Sequence, residues 1–204
     1  MVNRHTLRRA LAHLQEKGLV ESTQGRGTYV RRPSLRYNLG KRTRFSDVLE
    51  AQSLNARTKT RRIDIRPASQ RVADGLGIAV GALVVRLDRI GFANEEPISL
   101  STHFFSQRRF PSFMEFYRRY KSVTQTLLHS GVPDYTRART VIQARMPMPD
   151  EVELLNTPKH VPLIVTHAWN VDGLGQPLEY GESCFASDRI ELEIETGPPP
   201  GLTD

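Results

Sequence analysis

Apolar residues recur at helical spacing near the start of the chain, where they form one stripe on residues 3–17: Leu7, Leu11 and Leu14. This spacing predicts an amphipathic helix. Asn3 is a suitable N-cap and Gly18 a suitable C-cap glycine. Two short strands are predicted next, at 19–22 and 28–30, because the sequence QGRG between them supplies the glycines that a tight turn needs.

A second pattern repeats along the rest of the chain. Residues 62–106 and 142–186 align without gaps at a constant offset of 80, so that Pro67 matches Pro147. Each copy predicts a strand, a short helix and two hairpin strands. With a further alternating strand at 190–194, the two βαββ copies predict one antiparallel sheet with helices on one side, an α+β fold.

Charged residues are distributed unevenly along the chain. Residues 1–62 hold 15 Lys and Arg against 4 Asp and Glu, while residues 63–204 hold 14 against 18. A basic end on a mildly acidic body is typical of a protein whose one end meets a polyanion, although a solubilising basic face has the same signature. No apolar run is long enough to span a bilayer and no signal sequence is evident, so a cytoplasmic protein is expected. Cys184 is the only cysteine, which excludes an internal disulfide.

The N-terminal segment NRHTLRRALAHLQEKGLVESTQGRGTYV resembles the recognition helix and wing of the GntR family of regulators, with a polar helix start, RRAL, the GLV passage and a QGRGT wing. In that family the recognition helix enters the major groove and the wing lies beside it. Any one of these arginines taken alone is equally consistent with a solvated surface position. The resemblance implies DNA contacts by the following residues: Asn3, Arg4, Thr6, Arg8, Arg9, Arg26 and Gly27.

The family's winged helix-turn-helix has two further helices before the recognition helix, whereas here the match begins at the recognition helix itself. We therefore expect a truncated head at 1–32, a basic, extended linker at 33–44 and a sensing domain at 45–198. Two alternatives stay open at this point. The chain is a shortened form of a longer regulator, or it does not bind DNA by itself.

The body resembles the effector-sensing (UTRA) domain of the HutC subfamily, which shares its antiparallel sheet with chorismate lyase. The resemblance rests on RFSDVL at 44–49, VADGLGI at 72–78 and PLEYGESCF at 177–185, and several stretches are most similar to regulators of phosphonate metabolism. It implies an effector site built from the following residues: Phe45, Ser46, Arg89, Ser122, Thr124, Arg139, Glu179, Tyr180 and Glu182.

The chemistry of these residues suits a small anion. Ser46 and Ser122 begin predicted helices, and Arg89 can clamp a phosphate or phosphonate group. Sugar-phosphate sensors often carry a second arginine two residues further on, where this chain has Gly91, so Arg137 and Arg139 are the candidates to replace it. The alternatives are N-caps for the two serines, a surface cation for Arg89, an ion pair for Glu182 and a core position for Tyr180.

These features together predict a homodimeric repressor that binds an inverted-repeat operator and is controlled by a small, phosphonate- or phosphate-like effector. The chain carries no nucleophile elbow, Walker loop or HExxH spacing, so no enzyme, metal or cofactor is expected, and His103 and His167 are interpreted as structural or surface residues. The alternatives are a stand-alone ligand-sensing and dimerisation module without DNA binding and, more remotely, a chorismate-lyase-like enzyme.

Overall fold

The computed structural model describes residues 3–17, 20–23, 27–30, 35–40, 45, 51–52 and 54–194. The chain divides into two compact units, residues 1–35 and 36–204. The predicted C-cap Gly18 lies outside the described residues, as do the predicted linker residues 33–34 and 41–44.

The first unit contains the predicted helix and hairpin. Helix α1 (Arg4–Glu16) begins after Asn3, whose side chain accepts a hydrogen bond from the backbone N–H of His5 at 3.1 Å. Strands β1 (Val20–Thr23) and β2 (Gly27–Val30) pair antiparallel. Both predictions are therefore confirmed. No residue of α1 is buried, and Leu7 on its apolar stripe is 55% exposed.

The second unit is organised around one six-stranded antiparallel sheet, ordered β4-β5-β6-β9-β8-β7. The two sequence copies form its two halves and meet where β6 pairs with β9. This confirms the α+β fold built from two βαββ units. The strands are β4 (Ala56–Pro67), β5 (Leu83–Ala93), β6 (Glu96–Ser106), β7 (Tyr135–Arg145), β8 (Leu163–Asp172) and β9 (Pro177–Ala186).

Helices cover both faces of this sheet, not one as the sequence analysis expected. Helices α2 (Gln70–Leu76) and α5 (Pro149–Leu155) cover one face, and helices α3 (Phe113–Tyr120) and α4 (Val123–His129) cover the other. The reason lies in β5, where Val84 packs with α2 while Val85 packs with α3 and α4. A run of apolar residues, rather than strict alternation, is typical of a strand buried on both faces.

A separate two-stranded sheet joins β3 (Leu35–Asn38) to β10 (Ile190–Glu193). The C-terminal strand was expected in the main sheet, and β3 falls within the predicted extended linker, which was not expected to pair. The hydrogen bond from Leu39 N–H to the carbonyl oxygen of Glu193 continues this pairing at 2.7 Å.

Four register shifts interrupt the pairing of the main sheet, two of them between Gly91 and Phe92 and between Asn170 and Val171. The other two decide which side chains of β4 and β7 share a face. The register shifts by one residue between Thr60 and Arg62 on β4, and between Arg137 and Arg139 on β7. Because side chains alternate along a strand, each extra residue reverses the face of every position that follows it.

Close packing explains why one position inside helix α2 is a glycine. A Cβ placed on Gly75 would lie 2.8 Å from the ring of Tyr180, which is fully buried. Glycine costs an exposed helix about 1 kcal/mol relative to alanine. Gly75 is tolerated here because helix α2 approaches β9 too closely for a larger side chain.

We expect Gly75→Ala to destabilise the fold by about 1–3 kcal/mol, because the clash with Tyr180 outweighs the gain in helix propensity. Urea unfolding followed by circular dichroism measures the change. Gly173→Ala is the matched control, because a Cβ there meets no atom within 4 Å. Its stability should stay within about 1 kcal/mol of the wild type. A stabilised Gly75→Ala variant would contradict the packing argument.

Candidate functional site

A cavity of about 270 Å³ lies on the α4 side of the six-stranded sheet. Every strand of that sheet contributes to its wall, and residues 121–124 at the start of α4 close one side. Tyr37 from β3 and Phe45 complete the lining. A cavity of this size suits a small molecule and not a polymer.

Two arginines supply positive charge to the cavity. Arg89 on β5 donates a hydrogen bond to the Thr58 hydroxyl, while Arg137 on β7 reaches the site from the opposite edge of the sheet. The Nε atoms of both are buried, and neither has a hydrogen-bond partner in the part of the chain that the structure describes. Buried donors of this kind are costly unless something accepts from them. The site therefore offers donors to an anion.

A buried carboxylate lies in the same cavity. Glu179 on β9 is 5% exposed, contacts His103 Nδ1 through one oxygen and accepts a hydrogen bond of 2.8 Å from Asn170 Nδ2 through the other. The second ring nitrogen of His103 lies 3.0 Å from the Ser101 hydroxyl. Burial alone would raise the pKa of Glu179, but His103, Asn170 and the charge of Arg137 lower it below its usual value.

Three aromatic rings form an apolar wall. The ring of Tyr37 lies 5.3 Å from that of Phe185 and 6.4 Å from that of Phe45. Tyr37 is 6% exposed, and its burial raises the pKa of the hydroxyl even though the nearby positive charge of Arg137 acts to lower it. A Cβ on Gly91 would overlap both the Phe45 ring and the Ser99 hydroxyl. Phe45 therefore fills the space that a side chain at position 91 would need.

Five of the predicted effector residues line this cavity: Phe45, Arg89, Ser122, Thr124 and Glu179. Ser122 also caps α4, since its hydroxyl accepts from the backbone N–H of Gln125 at 3.3 Å. Thr124 Oγ1 lies 3.4 Å from the Tyr135 hydroxyl. The five residues come from four separate parts of the chain: the segment before β4, strand β5, the start of α4 and strand β9.

Three of the predicted residues lie elsewhere. Arg139 is exposed, with its guanidinium 4.9 Å from the centre of the Trp169 ring. Tyr180 is buried against α2, and its hydroxyl donates to Glu182 at 3.0 Å. Glu182 also lies 3.8 Å from Arg71. Tyr180 therefore has the core position, and Glu182 the ion pair, that were the alternatives to an effector contact.

The geometry of the strands explains these positions. The bulge at Ala138 turns Arg137 into the cavity and Arg139 to the other face, although residues two apart on a regular strand share a face. On β9, Glu179 and Ser183 face the cavity, so Tyr180 and Glu182 face away. Ser46 lies outside the described residues and stays a prediction.

Sequence reasoning missed several cavity residues. His103 was interpreted as structural, yet it lines the site with Ser99 and Ser101, whereas His167 lies at the other face and contacts the Tyr180 hydroxyl at 2.9 Å. The signal was present, since Ser99, Ser101 and His103 occupy alternate positions of β6. Tyr37 had no such signal, because β3 belongs to a segment without a clear period.

The predicted DNA-contacting residues that the structure describes are accessible. Asn3, Arg4 and Thr6 are exposed, as are Arg8 and Arg9 in the following turn of α1. Gly27 at the start of β2 is exposed and has a φ of +98°, which explains why glycine suits this turn. Arg26 lies outside the described residues.

Other chemistry is limited in what the structure describes. The described residues contain no group of three or more His, Cys, Asp or Glu that could hold a metal ion, and none of their helices is long and apolar enough to cross a membrane. The thiol of Cys184 lies 3.5 Å from Glu151, and burial first, then this carboxylate, raises its pKa to about 12. A thiol of that kind is a poor nucleophile at neutral pH.

Comparison with known families and proteins gives a consistent result. The model of the UTRA domain matches residues 51–191, and that of bacterial regulatory proteins of the gntR family matches residues 1–30. The HTH-type transcriptional regulator RB1450 of Rhizobium meliloti strain 1021 is 37% identical over 196 residues, which cover 96% of this chain and 80% of that protein.

Two further relatives carry the name PhnF. The probable transcriptional regulator PhnF of Escherichia coli K12 is 34% identical over 201 residues, which cover 95% of this chain and 80% of that protein. The crystal structure of PhnF from Mycobacterium smegmatis is 27% identical and superposes with a TM-score of 0.74, covering 96% of this chain and 86% of that chain. The proteins that this chain resembles are transcriptional regulators and not enzymes.

We expect Glu179→Gln to lower the free energy of unfolding at pH 7 by about 1–3 kcal/mol, because it weakens the charge-assisted bonds to His103 and Asn170. The pKa of Glu179 is lowered in the fold, so its contribution is fully present above the unfolded value of 4.5 and is lost as the pH falls through the folded value. The difference between variant and wild type should therefore shrink on acidification. Urea titrations at pH 7, 5 and 4 measure it, and a difference that grew towards pH 4 would refute the assignment.

Proposed function

Because the chain belongs to the UTRA-domain regulators of the GntR type, we propose that it is a transcriptional repressor whose operator binding is controlled by a small anion held in the cavity described above. Relatives named as repressors support the regulatory part of this proposal. The cavity supports the part that concerns the effector. The proposed division of labour is DNA reading by residues 1–32, connection by 33–44 and effector sensing by 45–198.

The observation that carries the proposal is the pair of arginines with buried, unpartnered Nε atoms that line one cavity. With Lys121 they give the described part of the lining three fixed cations against one carboxylate, Glu179. An anion is the ligand that such a lining favours, and guanidinium groups match the oxygens of phosphate or phosphonate in geometry. We therefore propose a small phosphonate- or phosphate-like effector.

The proposed effector site consists of the cavity residues: Phe45, Arg89, Ser122, Thr124 and Glu179, with His103 and Arg137 added. Ser122 contributes its side chain at the start of α4, and Glu179 offers an acceptor to any donor on the effector. Arg139, Tyr180 and Glu182 are left out because they lie outside this lining.

DNA binding is proposed for the basic first unit. Its exposed arginines on α1 can meet phosphates and base edges, and an electrostatic contribution of that kind weakens steeply with salt. A homodimer would place two recognition helices on two half-sites of an inverted repeat. Such a repressor would act in the cytoplasm, where its operator is.

We expect Arg89→Ala to abolish anion binding without changing operator affinity. Differential scanning fluorimetry and calorimetry with inorganic phosphate and methylphosphonate measure the first effect, since a ligand that binds the folded state raises the melting temperature. Arg108→Ala is the matched control, because Arg108 is exposed and outside the cavity. The control should keep the full ligand response. An unchanged response in Arg89→Ala would exclude this cavity as the anion site.

We expect Arg8→Ala to weaken operator binding and to reduce the slope of log K against log salt by roughly 1, because one phosphate contact is lost. Fluorescence anisotropy across a salt series measures the slope. Lys159→Ala, an exposed cation of the second unit, should leave the slope unchanged. Absence of any DNA binding by the chain, with anion binding retained, would favour the stand-alone sensing module over the repressor.

A further inference from the structure

A chain of hydrogen bonds crosses the floor of the cavity from a buried carboxylate to a serine hydroxyl. His103 on β6 contacts Glu179 through Nδ1, and its Nε2 lies 3.0 Å from the hydroxyl oxygen of Ser101, two residues earlier on the same strand. All three side chains line the cavity. The imidazole therefore connects a negative charge to a group that can touch the effector.

The register of the sheet places this serine beside a proposed anion-binding group. Ser101 lies opposite Arg89 on β5 and opposite Ser183 on β9. Opposed residues of an antiparallel pair have Cβ atoms about 4.5–5.5 Å apart, and both Ser101 and Arg89 line the cavity. An anion held by Arg89 would therefore lie next to the Ser101 hydroxyl.

The positions of the hydrogens in this chain follow from the charge of Glu179. The pKa of this carboxyl is lowered, so at neutral pH it is ionised and can only accept. Nδ1 of His103 must then carry the hydrogen of the shared bond, and Nε2 of the neutral imidazole is left as an acceptor. In that state the Ser101 hydroxyl donates to Nε2 and offers only oxygen lone pairs to the cavity, which disfavours an anion there.

Protonation of His103 reverses the bond to Ser101. An imidazolium donates from both ring nitrogens, so Nε2 would donate to the Ser101 oxygen and release the hydroxyl hydrogen for an acceptor in the cavity. The proton comes from solvent and adds to Nε2, and no other covalent bond is made or broken. Histidine is the side chain that ordinarily changes charge near neutral pH.

The charged groups around His103 make its protonation depend on the anion. Glu179 favours the imidazolium, whereas the cations of the lining oppose it, and an anion that neutralised them would remove that opposition. Helix α3 brings Tyr117 to the same side of the sheet, where its hydroxyl lies 2.7 Å from that of Thr60. Among the described residues, the other titratable groups of the lining are Tyr37 on β3, Arg89 on β5, Lys121 before α4, and Tyr135 and Arg137 on β7.

We propose that the cavity binds its anion together with one proton, which His103 takes up while Ser101 turns its hydroxyl from Nε2 towards the anion. The inference rests on the proposed anion site and adds Ser101 to it. Glu179 and His103 act through Ser101 as positioning residues. Because the coupling is reciprocal, the affinity for the anion falls as the pH rises through the range in which His103 loses its proton.

Calorimetry on the full chain tests the proposal. Sulfate is the first probe because its charge does not change between pH 6 and 8, and inorganic phosphate and methylphosphonate are measured beside it. Titrations in two buffers with different heats of ionisation give the number of protons taken up with the anion. We expect a net uptake at pH 7 and an affinity for sulfate that falls by about threefold or more per pH unit, where roughly tenfold is the limit for one coupled proton.

His103→Gln removes the titrating group and keeps a polar side chain. The proton uptake should disappear and the affinity for sulfate should stop depending on pH, whereas a purely structural role of His103 would lower the affinity equally at every pH. Comparison with the wild type also cancels the ionisation of phosphate or methylphosphonate itself. His160→Gln is the matched control, because His160 is exposed and lies outside the cavity, and it should keep the full uptake.

Ser101→Ala and Ser183→Ala form a second matched pair, because both serines line the cavity and lie opposite each other. We expect Ser101→Ala to weaken anion binding by about fivefold or more and to reduce the proton uptake by about half or more, since the hydroxyl that joins the imidazole to the anion is gone. Ser183→Ala should keep the uptake of the wild type. This pair decides the question if His103→Gln no longer binds any of the anions.

The outcomes separate this inference from the proposal beneath it. If none of the three anions binds the wild type, the anion site fails and the inference fails with it. If an anion binds with the same proton uptake in the wild type and in His103→Gln, the inference alone is overturned. It is also overturned if Ser101→Ala and Ser183→Ala do not differ in that uptake.

Discussion

The pairing of β6 with β9 is the constraint on which the rest of the molecule depends. It joins two copies of one sequence pattern into a single sheet, and its register places Ser101 beside Ser183 and His103 beside Gly181. A shift of one residue would turn every one of these side chains to the opposite face. The polar interior and the apolar layers under α2 and α3 exist together only because this register is kept.

Much of this architecture could be predicted because duplication is visible in the sequence. A constant offset with Pro67 matching Pro147 locates every strand of the main sheet to within a few residues. The pattern carries no information on how strands pair beyond one copy, so the position of β10 and the pairing of β3 could not be predicted from it. The second layer of helices was missed for a similar reason, since an apolar run on β5 does not say what covers it.

The cavity was harder to predict than the fold because it depends on local irregularities. Positions 137 and 139 are both arginines and lie two residues apart, so a regular strand would place them on the same face. Only the bulge at Ala138 decides that Arg137 faces the cavity and Arg139 does not. Gly91 gives a second example, since the absence of a side chain there allows Phe45 to reach the wall. The Phe45 ring occupies that space, and the second arginine of this cavity comes from β7, on the far edge of the sheet.

The charged groups of this cavity differ in how well their neighbours compensate for the loss of water. The bonds to His103 and Asn170 and the charge of Arg137 outweigh the desolvation of Glu179, because the pKa of this carboxyl is lowered. The buried Nε atoms of Arg89 and Arg137 have no acceptor among their described neighbours, and this lack costs free energy. An anion would give the arginine donors the acceptors that these neighbours do not supply, so its binding would relieve part of the cost. That difference in free energy is what a ligand of this cavity can use, because a ligand shifts a conformational equilibrium only by its differential affinity for the two states. The unpartnered donors are therefore better understood as the source of the response than as a defect of packing.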